Sequence, residues 1–186
     1  MSYIVYDTTG LVLENQAFSE HDRFVTILTP DFGIMRVRAG GSSKPESKLK
    51  YSLDLLSYGK FSIVRGKVGW RLTNAQGLEQ IKIIDKNKKE VVGRVLGLCL
   101  SLIPQDQEEE EIFNFIFDFL HTITEIPNTD TKILEIYTVY SVLEKLGYIE
   151  KNIHIGEWGD SKDYIVINKD ILVSHINNAI KASHLV

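Results

Sequence analysis

Residues 53–75 read LDLLSYGKFSIVRGKVGWRLTNA, and the fold of the N-terminal half turns on them. Leu53 to Arg65 has the apolar alternation and β-branched content of one long strand, and Trp70 to Ala75 of a second. Between them Arg65-Gly66-Lys67-Val68-Gly69-Trp70 reads as a hairpin loop. Gly59 falls inside the longer strand, where a residue without Cβ permits the sharp bend or bulge that closing a small barrel demands. Upstream, Gly10 to Leu13, Phe24 to Leu28 and Ile34 to Arg38 read as three more strands, separated by turn signals such as Thr29-Pro30-Asp31-Phe32-Gly33. Five strands within about 80 residues predict a five-stranded barrel of OB type.

Beyond about residue 84 the apolar period lengthens from two to about 3.6. Asn87 is placed to cap a helix running to about Ile103, with Glu90 as its capping-box partner and Pro104 as the stop. The acidic run Glu108 to Glu111 suits the positive end of a second helix. In that helix Phe113, Phe115, Phe117 and Phe119 alternate as a strand would, whereas Glu111, Asn114, Asp118, Thr122 and Glu125 form a polar stripe at helical spacing, and the stripe decides for a helix. It is expected to be central to the second domain and to end near Pro127. A third helix is predicted from about Asp130 to Leu146, stopped by Gly147. Ile153 to Trp158 and Tyr164 to Ile167 are expected to pair as a small hairpin before a last helix from about Asn168. The expected class is therefore α+β, an OB-fold barrel over 1–84 and a helical domain with a small hairpin over 85–186.

Composition narrows the function. With 186 residues, 44% of them apolar and 25% charged, the chain can bury a real core. Its one cysteine, Cys99, excludes a disulfide framework and any cysteine-based zinc site, and fits a reducing, cytoplasmic setting. No basic-then-apolar leader opens the sequence, and no window approaches the roughly 18 to 20 apolar residues of a membrane span. The net charge of −4 conceals an uneven distribution. Residues 36–71 hold nine Lys and Arg against only Glu46 and Asp54, whereas residues 86–186 carry 16 acidic and 10 basic side chains.

The basic segment supplies the candidate site. Strand alternation puts Met35 and Val37 on one face and Arg36 and Arg38 on the other, so both guanidinium groups project from the same side of the barrel. Arg65 and Arg71 flank one hairpin in the same way, and Lys67 sits in its loop. The loop from Gly40 to Lys50, carrying Lys44, Lys48 and Lys50, is cationic and rich in hydrogen-bonding groups, which suits a phosphate backbone read without sequence preference. Tyr51, Tyr58, Phe61 and Trp70 add aromatic surface on which bases can stack. Taken singly, each of these is what a solvated face or a core aromatic also supplies; the clustering is what points to a patch. In Ser19-Glu20-His21-Asp22-Arg23 a histidine stands beside carboxylates, as a general base would. No nucleophile motif accompanies it, and a turn with Asp22 and Arg23 in structural salt bridges is the expectation. His121, His154, His175 and His184 have no metal-site spacing, and no phosphate-binding Gly-rich loop ends in Lys-Ser/Thr. No cofactor and no catalytic residue is predicted.

Several of these segments, in order, resemble a known family. Thr8-Thr9-Gly10-Leu11-Val12-Leu13, then Ser19 to Arg23, Thr26 to Thr29 and Gly33 are similar to the opening of the bacterial DNA repair protein RecO family. Arg38-Ala39-Gly40, Ser47-Lys48-Leu49 and Leu53 to Tyr58 look like its continuation, Leu146-Gly147-Tyr148 resembles a motif of its helical domain, and Ala182-Ser183-His184-Leu185 is also similar. The resemblance implies binding of single- and double-stranded DNA, annealing of complementary strands, and work with RecR to load the recombinase onto strands coated by single-stranded-DNA-binding protein. Two departures stand out. The tract after Gly40 is Gly41-Ser42-Ser43 where relatives are often more basic, and Ile153 to Ile167 lacks the four cysteines of the zinc module that many relatives carry. A short form without that module is expected. Two rivals remain open, namely a protein-interaction adaptor with weak DNA binding of its own, and more remotely a nuclease using His21 and Asp22.

Overall fold

The computed structural model describes residues 4–43, 47, 49, 51–150 and 155–183. They form two compact units, one of residues 1–82 with 104–117 and the other of 83–103 with 118–186.

The first unit is a closed barrel of five strands, β1 (Val5–Ala17), β2 (Arg23–Thr29), β3 (Gly33–Ala39), β4 (Ser57–Gly66) and β5 (Gly69–Gln80), in the order β1-β2-β3-β5-β4. Neighbours pair antiparallel except β3 and β5, which run parallel and join through Val37 opposite Trp70 and Arg38 opposite Arg71. This is the OB-type architecture expected from the strand count. Alternation fills it: Val12, Val25, Ile27, Met35, Val37, Phe61, Ile63 and Leu72 point inward and are buried, closed at one side by Leu53. Gly59 does what the sequence asks of it. The β4–β5 register shifts between Tyr58 and Gly59, and a Cβ at Gly59 would stand 2.4 Å from the carbonyl oxygen of Gln76.

The expected strand from Leu53 is shorter than predicted. Tyr51–Leu53 is a turn of 3-10 helix and β4 begins at Ser57. Leu56 has a φ of 62°, a left-handed conformation that breaks an extended run. Residues 104–117 complete this unit. Ile34 N–H donates to the carbonyl of Pro104 (3.2 Å) and Glu109 N–H to that of Pro30 (2.8 Å). Gly33, with a φ of 58°, makes the approach possible, since a Cβ there would lie 2.5 Å from the Pro104 oxygen.

The helices are α1 (Lys86–Leu102), α2 (Glu110–Glu125), α3 (Thr131–Lys145), α4 (Trp158–Ile167) and α5 (Lys169–Ala182). The stripe that decided for a helix in α2 is correct, because Ile112, Phe113, Ile116, Phe119, Leu120 and Ile123 are all buried. The first eight residues of α2 group with the barrel and the last eight with the second unit. Asp85, not Asn87, caps α1, accepting from Lys88 N–H at 3.0 Å. Its other carboxylate oxygen accepts from Asn128 Nδ2 (2.9 Å), a tertiary bond that no capping-box pattern reveals.

The expected hairpin is not formed. Tyr164 to Ile167 is helical within α4, and Ile153 lies outside the described residues. The four-residue apolar run carries too little periodicity to choose, and packing chooses for it. Helical geometry buries Ile165 completely against the core of Tyr140, Leu143, Leu172 and Ile176. Arg94 holds Glu135 across α1 and α3 through two bonds of 2.5 and 2.9 Å. Among the described residues no helix is long and apolar enough to cross a membrane.

Candidate nucleic-acid interface

The site is the outer wall of β2 and β3. Because Met35, Val37 and Ala39 fill the core, Arg36 and Arg38 project outward and are exposed. Residues opposite one another on antiparallel strands share a face. Arg36 therefore stands beside Thr26, and Arg38 beside Phe24. The Arg36 guanidinium lies 4.6 Å from the centre of the Phe24 ring, and that of Arg38 lies 5.5 Å from the centre of Phe18. The two phenyl rings meet edge to face at 4.7 Å. Two guanidinium groups and two aromatic rings thus interleave on one wall, an arrangement strengthened by attraction between cation and ring. The parallel β3–β5 pairing adds Arg71 next to Arg38. Among the described residues Arg36 and Arg71 enter no ion pair, and the Arg71 guanidinium donates no hydrogen bond.

Ser19 to Arg23 is the fastening of this wall. Phe18 and Ser19 N–H groups donate to the Asp22 carbonyl at 3.0 and 3.2 Å, closing the β1–β2 turn. One Asp22 carboxylate oxygen accepts from Arg38 Nη2 at 2.6 Å and from its Nε at 3.1 Å, and the other accepts from Gly41 N–H at 2.9 Å. The hydrogen bond from Arg38, then that from Gly41, holds the Asp22 carboxyl below its ordinary range. The expected salt bridge of Asp22 is present. Arg23, in contrast, forms none among the described residues, and donates instead to Ser43 Oγ (2.9 Å) and Asn15 Oδ1 (3.2 Å). Asp22 is thus occupied by structural bonds, and among the described residues no group of three or more metal-ligating side chains comes together.

The remaining predicted residues divide. Arg65 lies opposite Trp70 and Arg71 opposite Val64, so the expectation that Arg65 and Arg71 share a face is corrected: on a pleated ribbon adjacent pairs alternate sides. Arg65 sits 5.4 Å from the centre of the Trp70 ring and 3.9 Å from Asp106. Trp70 Nε1 donates to the same carboxylate at 3.0 Å, while its ring packs on Tyr6 and Phe32. Lys67 is exposed in the two-residue loop of the β4–β5 hairpin. Lys44, Lys48 and Lys50 lie outside the described residues. Of the four aromatics named from sequence, Phe61 is core at 1% exposure, Tyr58 packs on Phe113 and Phe117, and Trp70 is engaged as above; Tyr51 is exposed. Phe18 and Phe24 were the aromatics to name. Their signal was available, since Phe24 alternates with the inward-facing Val25 and Ile27 and must therefore face out.

A closed five-stranded barrel joined to helices places this chain in the class of OB-barrel proteins with a helical appendage. Residues 1–84 match the family described as Recombination protein O N terminal. The chain is 29% identical over 145 residues to the DNA repair protein RecO of Nostoc sp. (strain PCC 7120 / SAG 25.82 / UTEX 2576), covering 76% of this chain and 48% of that protein. It is 28% identical over 150 residues to the DNA repair protein RecO of Dehalococcoides mccartyi, covering 77% and 56%. To that of Synechocystis sp. it is 38% identical over 71 residues, covering 38% and 26%. The chain is thus similar to RecO proteins, through the match of its N-terminal module and over about three quarters of its length at 28–29% identity. It spans about half the length of the curated relatives it matches.

Proposed function

We propose that this chain is a DNA-binding mediator of recombinational repair that works by binding and juxtaposing strands rather than by covalent chemistry. The observation that carries the proposal is the convergence of Arg36, Arg38 and Arg71, from two strands distant in sequence, on one exposed wall of an OB-type barrel. Arg36, Arg71 and Lys67 contact phosphates in this scheme, joined by Lys44, Lys48 and Lys50 from the loop between β3 and β4. Arg38 shapes the wall, its charge offset by Asp22, and Arg65 contributes less because Asp106 stands beside it. Such cations neutralise a backbone without reading bases, as strand annealing between arbitrary complements requires. The resemblance to RecO proteins extends the proposal to single- and double-stranded DNA as substrates, to RecR and single-stranded-DNA-binding protein as partners in loading the recombinase, and to a cytoplasmic, nucleoid-associated location.

One observation favours the adaptor reading. Two of the predicted DNA-contacting arginines, Arg38 and Arg65, are already paired to Asp22 and Asp106. Annealing of complementary labelled oligonucleotides separates the two. Under the mediator reading Arg36→Glu/Arg71→Glu slows annealing by about tenfold or more at low salt. A double variant that anneals like the wild type transfers the function to protein contacts.

A further inference from the structure

We infer that Phe18 is a stacking platform for an unpaired base, which makes the wall of β2 and β3 selective for single-stranded over duplex nucleic acid. The inference rests on the DNA-binding proposal and specifies the form of substrate that the same wall takes.

Phe18 is 55% exposed, an unusual position for a phenyl ring on a barrel whose other aromatics are mostly packed. Its placement is nonetheless defined on three sides. Its backbone N–H is bonded to the Asp22 carbonyl, its ring meets Phe24 edge to face, and the Arg38 guanidinium lies over it. Arg38 is itself fixed by the two bonds to Asp22, and Phe24 is covered by Arg36. An exposed ring so restrained loses little freedom when a planar partner lands on it, and preorganisation of this kind favours binding.

What lands is set by the neighbours. Arg36, over the adjoining Phe24 ring, and Arg71, in register with Arg38, have no ion-pair partners among the described residues and supply positive charge on the same wall, so the partner must carry negative charge and a flat apolar face together. An unpaired nucleotide has both: its phosphate meets a guanidinium and its base meets the phenyl face. A duplex offers the same phosphates, but its bases are stacked within the helix and cannot reach Phe18. The selectivity follows from one ring.

Fluorescence anisotropy on the full chain tests this with three probes matched in phosphate number: oligothymidylate, a blunt duplex, and an abasic deoxyribose-phosphate strand. Phe18→Ala is expected to weaken oligothymidylate binding by about tenfold, within the range of one stacked base. Duplex and abasic-strand binding stay unchanged, and wild type binds the abasic strand as weakly as Phe18→Ala binds oligothymidylate. Phe18→Leu, which keeps an apolar contact to Phe24 and so guards against a folding artefact, shows the same loss, and Phe18→Tyr restores binding. Equal losses on single strand and duplex overturn the inference, as does no loss on either. A wild type that binds none of the probes overturns the DNA-binding proposal itself, a result distinct from both.

Discussion

The barrel presents an arginine against an aromatic ring in two places, and the surroundings give them opposite characters. On the wall of β2 and β3, Arg36 covers Phe24, and among the described residues no carboxylate is paired to it. Beside the β4–β5 hairpin, Arg65 covers Trp70, but Asp106 accepts the indole N–H and stands within ion-pair distance of the guanidinium. The same pair of residue types is thus open to a ligand in one place and internally answered in the other. Residue type identifies candidates for binding; the unpaired charge beside them separates the proposed interface from a structural cluster.

The largest effect expected concerns the aromatics. Phe61 was a sequence candidate for stacking and lies in the core, so Phe61→Ala should cost about 3–5 kcal/mol in denaturant unfolding. Phe18→Ala should stay within about 1 kcal/mol, since its ring is more than half exposed. Comparable costs at the two positions would erase the distinction between packed and presented rings.

A second, smaller effect tests the fastening of the wall. Asp22 has a lowered carboxyl pKa, from an ordinary value of 3.8, through its bonds to Arg38 and Gly41. A depressed folded-state value means that this contribution is present in full above about pH 5, where the unfolded carboxyl is also ionised, and is lost as pH falls through the unfolded value of 3.8 and then the folded value. Thermal melts of wild type and Asp22→Asn from pH 7 down to pH 2.5 should therefore converge in acid. A gap that stays constant with pH would show that the carboxylate charge is not what matters.

Much of this is legible in the sequence. Two-residue alternation in Ile34 to Arg38 alone puts Arg36 and Arg38 outside, and Gly59 marks the bulge in β4 because only a residue without Cβ fits against Gln76. What escaped were consequences of long-range packing. The parallel pairing that brings Arg71 beside Arg38 has no local signature, and neither does the return of residues 104–117 to the barrel, which depends on Gly33 admitting the Pro104 carbonyl. Tyr164 to Ile167 is an apolar run too short to show a period, and it is helical because Ile165 has a core to enter. Phe18 and Phe24 lie outside the basic segment, although the alternation of β2 alone turns Phe24 outward.

The measurement that bears most directly on the central claim is the salt dependence of single-strand binding, compared among wild type, Arg36→Ala/Arg71→Ala and Arg65→Ala. With about six phosphates neutralised, log affinity should fall against log salt with a slope of about −4.2 for wild type and about −2.8 for the wall double variant. Arg65→Ala should keep the wild-type slope, because Asp106 already answers that charge. A wild-type slope near zero, or a larger change from Arg65→Ala than from the wall pair, would contradict the account.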